Sequence, residues 1–169
     1  MKEIYLLRHA KSSWAGQSQG DHERPLNQRG RQAATALEAY LVTHAVEPSL
    51  VLCSSAARTV ETLERIAPAL GSSTHVEIDP ELYLASGPLM LARIVAVDDT
   101  VESVMLIGHN PGMHELALAL GSEGPERDRF VAKLPTGALV CLALDVPTWS
   151  DVAPGGGRIT DVVFPREIA

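Results

Sequence analysis

The segment IYLLRH, residues 4–9, determines the expected fold because it joins a buried strand to two polar side chains. Its apolar run, residues 4–7, has the length of a short strand that is buried on both faces of a sheet. Arg8 and His9 follow at the point where this strand leaves the sheet. Ligands of open α/β sheets bind beside the carboxyl ends of the strands, so this junction is a candidate binding site.

Two further apolar runs end in the same way. The run at residues 50–53 is followed closely by Arg58. The run at residues 104–107 is followed closely by His109. The carboxyl ends of neighbouring parallel strands lie along one edge of a sheet. We therefore expect the three junctions to meet in one crevice, although they are far apart in the sequence.

The rest of the chain alternates between helical and strand patterns. Residues 28–43 have the period of a helix. Ser54 and Ser55 are residue types that cap helix N-termini, and they precede a second helical pattern. The expected buried face of the first helix consists of Ala33, Leu37, Tyr40 and Leu41. Further helices are expected over residues 57–70, 88–97 and 113–120, and further strands over residues 75–78, 138–144 and 158–164.

Strands that alternate with helices predict a mostly parallel sheet with helices on both faces. The expected fold class is therefore α/β, with a single three-layer α/β/α domain over residues 1–169. A length of 169 residues is typical of one domain, and no linker or internal repeat divides the chain. Aromatic residues make up 4% of the sequence, so aliphatic side chains must form most of the core.

The composition argues against several classes of protein. The net charge is −7 and the basic residues form no run, so a nucleic-acid-binding surface is not expected. No apolar stretch has the length of a signal peptide core or a membrane span, so we expect a cytoplasmic protein without a membrane partner. Cys53 and Cys141 have no Cys or His at metal-ligand spacing, and no metal site is expected. The oligomeric state is left open.

Arginine and histidine at three strand ends are the residue types that phosphoryl transfer requires. Imidazole is a nucleophile near neutral pH, because one ring nitrogen then keeps its lone pair. Arginine stays charged and offers paired donors that match two phosphate oxygens. His9 is the candidate nucleophile. The candidate cationic donors to a phosphate group are Arg8, Arg58 and His109.

Four stretches resemble the histidine phosphatase superfamily, the phosphoglycerate mutase-like group. They are LLRHAKSSW at residues 6–14, RPLNQRGRQA at 24–33, CSSAARTVET at 53–62 and GHNPG at 108–112. Together they are most similar to the small SixA-type phosphohistidine phosphatases. The resemblance implies a phosphoglycerate mutase-like fold and no metal or organic cofactor.

The resemblance also implies a role for each residue of the candidate site. It implies that His9 is phosphorylated in an intermediate, and that Arg8 and Arg58 bind the phosphate. It further implies that His109 is a protonated second histidine, which stabilises charge on the transferring phosphoryl group.

Three departures from the family pattern bear on the site. Ala10 stands where the family has glycine. Trp14-Ala15 stands where many members have Trp-Asn, so one phosphate contact is expected to be missing. Many members place a glutamate general acid after the third strand, where this chain reads DPELYLAS. Leu84 falls near that position and Glu81 lies nearby, so Glu81 is the candidate general acid.

The poorly filled acid position favours substrates with a phosphorus–nitrogen bond. An alkoxide leaving group needs a well-placed acid, whereas solvent protonates the imidazole of phosphohistidine beforehand. We expect hydrolysis of a phosphoramidate or phosphomonoester through phospho-His9, with phosphohistidine on a signalling protein as the favoured substrate. The alternatives are a small-metabolite phosphatase or mutase of the same family, and a phospho-ligand-binding module without turnover.

Cys53 offers a different nucleophile, because cysteine phosphatases also carry an arginine after the cysteine. The interval to Arg58 is one residue shorter than in those enzymes, and Cys53 ends an apolar run. We therefore expect a buried and inert thiol. Further candidates are Lys11, Ser12 and Ser13 for the pocket mouth, and Asp21, Arg24 and Asn27 for fixing the loop over the site.

Overall fold

The computed structural model describes residues 1–14 and 20–169. Ala15, part of the altered Trp-Asn pair, lies outside the described residues. The strands are β1 (Lys2–Arg8), β2 (Leu50–Ser54), β3 (His75–Asp79), β4 (Ser103–Gly108), β5 (Leu139–Leu144) and β6 (Gly157–Val163). The helices are α1 (Gln28–Thr43), α2 (Ala57–Ile66), α3 (Gly87–Val95), α4 (Gly112–Leu120), α5 (Pro125–Asp128) and α6 (Pro165–Ile168).

The strands form one sheet in the order β3-β2-β4-β1-β5-β6. The first four are parallel to one another, whereas β5 runs antiparallel to both β1 and β6. The α/β fold with a mostly parallel sheet is therefore confirmed. Arg8 is in register with Gly108, and Cys53 with Ile107, so β1, β4 and β2 end side by side. The three junctions of the sequence thus meet at one edge of the sheet.

Helices cover both faces of the sheet and create two cores. Alternate residues of β1 point into opposite cores. Leu6 packs in the core on the side of α3 and α4, and Leu7 packs in the core on the side of α1 and α2. Both leucines are fully buried, and each such side chain contributes roughly 1.5–3 kcal/mol of transfer free energy. No helix in the described part of the chain is long and apolar enough to cross a bilayer.

The buried face of α1 differs from the expected one by part of a turn. Leu37 and Leu41 are buried as predicted, but Ala34 is buried while Ala33 and Tyr40 are only half-buried. The reason is a close tertiary contact at Gly30, where a Cβ atom would lie 2.0 Å from the carbonyl oxygen of Lys11. That contact sets the rotation of α1 against the segment that follows His9.

The start and end of α2 also differ from expectation. Its N-cap is Ala56, which makes no side-chain capping bond, so the capping role predicted for Ser54 and Ser55 is wrong. Both hydroxyl groups are instead engaged by histidine side chains. The α-helix ends at Ile66 and continues as a 3-10 turn that contains Pro68, because proline cannot supply the next helical hydrogen bond. The short helices α5 and α6 were not predicted.

Candidate active site

A cavity of about 410 Å³ opens at the carboxyl ends of β1 and β4, beside the first turn of α2. We call it the central cavity. Its lining contains all four residues that the sequence predicted to meet: Arg8, His9, Arg58 and His109. The other lining residues are Lys11, Ser12, Trp14, Asp21, Arg24, Leu84, Asn110 and Thr136.

The ring of His9 is buried and held in one orientation. Its side chain is only 6% exposed, and Nδ1 donates a hydrogen bond to the carbonyl oxygen of Ala10 at 2.7 Å. A carbonyl oxygen can only accept, so Nδ1 carries the proton and Nε2 keeps the lone pair. Burial, together with the charges of Arg58 and Arg8, lowers the pKa of His9 to about 4. At neutral pH the ring is an uncharged imidazole with Nε2 available as a nucleophile.

His109 lies beside His9, with the two ring centroids 5.3 Å apart. Its Nε2 shares a hydrogen bond with the Ser54 hydroxyl at 2.7 Å, while Nδ1 has no partner among the described residues. Burial and the neighbouring His9 and Arg58 lower the pKa of His109 to about 3. The protonated state that the resemblance implies therefore requires an added negative charge, and a phosphoryl dianion would raise this pKa.

Two buried guanidinium groups reach the central cavity. Arg8 donates from Nη1 to the carbonyl oxygen of Leu134 at 3.0 Å, and Arg58 from Nη1 to that of Asp21 at 2.8 Å. Burial and the charge of Arg58 lower the pKa of Arg8, although a guanidinium stays protonated in proteins. Neither Nε atom has a hydrogen-bond partner among the described residues. Like charges held close together favour an anion between them, so the cavity suits a phosphoryl group.

Asp21 ties the loop before α1 to the central cavity. Its carboxylate accepts hydrogen bonds from the Tyr83 hydroxyl, from Arg24 Nη2 at 3.1 Å and from Arg58 Nη2 at 3.1 Å. These bonds, first of all that from Tyr83, hold the pKa of Asp21 well below its usual range. Asn27 caps α1 with its side-chain oxygen and donates from Nδ2 to the carbonyl oxygen of Ser12 at 3.4 Å. Asp21, Arg24 and Asn27 thus connect the described part of this loop to its neighbours, and closure of the loop over the site stays a prediction.

Comparison with known proteins agrees with this geometry. Residues 4–83 match the model of the histidine phosphatase superfamily, branch 1. A candidate SixA phosphohistidine phosphatase from Agrobacterium tumefaciens is 30% identical, over 97% of this chain and 99% of its own, with a TM-score of 0.81. The chain belongs to the histidine phosphatase superfamily, in its SixA-type branch.

Two further SixA structures have the same fold. The chain is 28% identical to a candidate SixA phosphohistidine phosphatase from Nakamurella multipartitia, with a TM-score of 0.84 over 97% of this chain and 96% of that one. It is 25% identical to the protein histidine phosphatase SixA complexed with tungstate, with a TM-score of 0.79 over 99% of both chains. The phosphoglycerate mutase-like fold is thereby confirmed, and family membership supports phosphatase activity.

The structure does not bring Glu81 to the four residues of the candidate site. Glu81 is exposed in the 3-10 turn Pro80–Leu82, outside the described lining of the central cavity. Leu84 lines the cavity instead, with 54% of its surface exposed and a φ of 52°. A leucine side chain cannot donate a proton. The residue that this chain has near the expected position of the general acid is therefore apolar.

Tyr83 is the neighbour of the site that sequence reasoning missed. Its ring lies 5.5 Å from that of His109, and its hydroxyl binds Asp21. Both contacts are tertiary, and no motif or periodicity in DPELYLAS indicates them.

Cys53 does not reach the described lining of the central cavity. It is fully buried, its thiol lies 3.3 Å from the carbonyl oxygen of Ser54, and burial raises its pKa to about 12. A thiol with that pKa is almost entirely protonated at neutral pH, and only the thiolate is a nucleophile. The inert thiol expected from the sequence is therefore consistent with this environment.

Proposed function

We propose that this protein is a metal-independent phosphatase that hydrolyses a phosphoramidate or phosphomonoester through phospho-His9, with protein phosphohistidine as its substrate. One observation carries the proposal. The buried, uncharged ring of His9 donates from Nδ1 to Ala10, which leaves the Nε2 lone pair free beside Arg8 and Arg58. A nucleophile next to fixed positive charge is the arrangement that phosphoryl transfer needs.

In the first step, Nε2 of His9 attacks the phosphorus atom, and the bond from phosphorus to the leaving group breaks. The electron pair of that bond departs with the leaving group. When the substrate is phosphohistidine, the other ring nitrogen is already protonated, so the leaving group is neutral imidazole and the electron pair becomes the lone pair of the released nitrogen. Arg8 and Arg58 balance the charge of the phosphoryl oxygens. The phosphorylated ring of His9 keeps its proton on Nδ1, and the Ala10 carbonyl stabilises its positive charge.

In the second step, a water molecule attacks phosphorus and the bond to Nε2 breaks, returning its electron pair to the ring. Phosphate leaves and the uncharged His9 is restored, with the excess proton of the water passing to phosphate or solvent. His109, with its Nδ1 unpaired among the described residues, is the proposed donor to the phosphoryl group in both steps. The phosphoryl dianion itself supplies the charge that favours protonation of His109.

Two features of the central cavity support a phosphorus–nitrogen bond as the substrate. Leu84 is apolar, and Asp21 is held ionised by Tyr83 and two arginines, so neither donates a proton to an alkoxide. An imidazole leaving group needs no acid from the enzyme. The SixA relatives are named as a candidate phosphohistidine phosphatase and as a protein histidine phosphatase, and both names agree with this choice. A phosphohistidine-bearing signalling protein is the proposed partner. The expected cytoplasmic location, and the expected lack of nucleic-acid and membrane partners, stay predictions.

The test is a substrate panel with and without EDTA. We expect kcat/KM for phosphohistidine and phosphoramidate to exceed that for simple alkyl phosphates by about 10²-fold, the usual contribution of a general acid. Para-nitrophenyl phosphate and sugar phosphates complete the panel, with His9→Ala as the inactive control. Equal or better turnover of alkyl or sugar phosphates would favour a metabolite phosphatase. Loss of activity in EDTA would contradict metal independence. Binding without phosphate release would indicate a phospho-ligand-binding module.

A further inference from the structure

A second cavity, of about 320 Å³, lies directly beside the central cavity and shares Lys11 and Thr136 with its lining. We call it the flanking groove. Nothing in the proposed chemistry uses it. The lining residues that matter for its character are Lys11, Arg29, Pro135, Phe164, Pro165 and Arg166.

The lining of the flanking groove includes three cationic side chains. Among the described residues, no carboxylate lies within salt-bridge distance of Lys11, Arg29 or Arg166, and the lining side chains include no Asp or Glu. By contrast, Arg31 on the same helix as Arg29 pairs with Glu61 at 2.9 Å. The lining also includes Ala169, the last residue of the chain, whose main-chain carboxylate offsets one of the three charges. Three cationic side chains against one carboxylate leave the groove positive on a chain whose net charge is −7.

The nearest acidic neighbour in the sequence makes its direct contacts outside the groove. Glu167 follows Arg166 and interacts with its charge, but the Glu167 carboxylate is bound by Arg129 Nη2 at 2.7 Å. The guanidinium of Arg166 lies instead over the Phe164 ring, 5.0 Å from its centroid. The Phe164 ring is itself buried, so the partly exposed Pro135 and Pro165 supply the apolar surface beside this charge.

The flanking groove has a fixed position relative to His9. The N–H of Gly137, one residue beyond Thr136, donates to the carbonyl oxygen of His9 at 2.9 Å. A Cβ atom on Gly137 would lie 2.8 Å from Pro165 Cγ, so the start of α6 packs tightly on this segment. A substrate group bound in the groove would therefore hold a constant distance from the nucleophile.

We propose that the flanking groove binds acidic residues next to the phosphohistidine of a protein substrate, an inference that rests on the proposed function. The phosphoryl group occupies the central cavity, and the adjoining chain segment extends past Lys11 into the groove. Its carboxylates meet Arg29 and Arg166, and the aliphatic parts of its side chains pack on Pro135 and Pro165. Each exposed ion pair contributes a factor of about 1.5 to 5 in affinity, so several together select acidic segments over neutral ones.

The test compares two histidine peptides that differ only in charge. One has Asp and Glu on both sides of the histidine, and the other has Asn and Gln at the same positions. Binding of the unphosphorylated peptides is measured by fluorescence anisotropy at low salt, and turnover is measured after the histidine has been phosphorylated. The variants are the double substitution R29A/R166A and, as the matched control, Arg158→Ala, an exposed arginine at the far edge of the sheet.

We expect the acidic peptide to bind about tenfold more tightly than the neutral one, and to be turned over with a correspondingly higher kcat/KM. This preference should disappear in R29A/R166A and remain in Arg158→Ala, while phosphoramidate turnover is the same in all three proteins. Equal binding of the two peptides, or an unchanged preference in R29A/R166A, would overturn the proposal.

Two other results would distinguish failure of the groove proposal from failure of the proposed phosphatase function. If no protein turns over any substrate but R29A/R166A loses the preference in binding, the proposed function fails while the groove stands. If R29A/R166A weakens turnover of a sugar bisphosphate but does not change peptide binding, the groove accepts a second phosphate of a small molecule. The peptide proposal would then be overturned.

Discussion

The parallel and antiparallel parts of the sheet contribute in different ways to the central cavity. Arg8, His9, Arg58 and His109 all follow or end strands of the parallel part, β1, β2 and β4. The segment that leads into β5 supplies main-chain support instead. Leu134 accepts a hydrogen bond from Arg8, and a main-chain N–H just before β5 binds the carbonyl oxygen of His9.

This difference indicates which part of such a sheet can hold catalytic side chains. Side chains at the carboxyl ends of parallel strands converge without disturbing the hydrogen bonds of the sheet, so the reacting groups collect there. The segment before β5 contributes Thr136 to the lining of the central cavity, together with the main-chain hydrogen bonds described above. Substitutions in the parallel part should therefore change turnover, and substitutions in the antiparallel part should mainly change stability.

The largest effect is expected at Arg58. The Arg58→Ala variant removes a buried charge from the central cavity, and we expect kcat/KM to fall by about 10²–10³-fold. Arg65→Ala is the matched control, because Arg65 lies on the same helix and pairs with Glu61 outside the cavity. Steady-state kinetics with phosphoramidate measures both. A similar loss in the two variants would show that the helix, rather than the cavity charge, is responsible.

The next effect is a change of substrate preference at Leu84. The Leu84→Glu variant places a carboxyl group at the cavity, where it can protonate an alkoxide leaving group. We expect the ratio of alkyl phosphate to phosphohistidine turnover to rise by about tenfold or more. Leu84→Gln has nearly the same shape without the acid and should leave the ratio unchanged. An equal rise in both variants would exclude proton donation as the cause.

The third prediction concerns the contribution of Gly137, just before the antiparallel strand β5, to the free energy of unfolding. Gly137 and Gly155 have nearly the same φ, 75° and 74°, but of the two only Gly137 has a neighbour, Pro165, that an added Cβ atom would meet. We expect Gly155→Ala to cost about 1–2 kcal/mol and Gly137→Ala roughly 3 kcal/mol, since overpacking adds to backbone strain. Urea unfolding provides both values. Equal values would contradict the tight packing of α6 on the loop beside His9.

The smallest effect is expected in the pH dependence of turnover. The pKa of His9 is lowered to about 4, so its uncharged form dominates at every pH above about 5. Titration of His9 should therefore cause no difference between kcat/KM at pH 6 and kcat/KM at pH 8, once both values are corrected for titration of the substrate. An ordinary histidine with a pKa of about 6.5 would lose roughly half of the activity at pH 6.5. Such a loss would show that His9 is not desolvated in solution.

The same lowered pKa values also have a consequence for stability. His9 and His109 are uncharged in the folded protein but take up protons near pH 6.5 when unfolded. The unfolded state therefore binds more protons as the pH falls below about 6.5, and the free energy of unfolding decreases toward pH 4. Above pH 7 these two groups have no effect on it.

The sequence predicted the features that depend on local pattern. Short apolar runs followed by Arg8, His9, Arg58 and His109 were enough to place these candidate residues at strand ends, because an apolar run and the polar residues after it are read from adjacent positions in the sequence. It also predicted that Leu84, rather than a carboxylate, lies near the acid position.

What the sequence could not predict depends on contacts between distant segments. The rotation of α1 follows from the contact of Gly30 with Lys11, and the hydroxyl of Ser54 binds His109 rather than capping α2. The hydrogen bond between Tyr83 and Asp21 joins residues on different loops, so no periodic pattern in the sequence predicts it. The charge of His109 also depends on burial, which the motif alone does not fix.

The most direct test of the account is to locate the phosphoryl group on the enzyme itself. Enzyme mixed with labelled phosphoramidate is quenched in base within one turnover, digested and analysed by mass spectrometry. We predict an acid-labile, base-stable phosphate on His9, absent in His9→Ala and retained in Cys53→Ser. Label on any other residue, or its loss in Cys53→Ser with folding intact, would contradict the claim that His9 is the nucleophile.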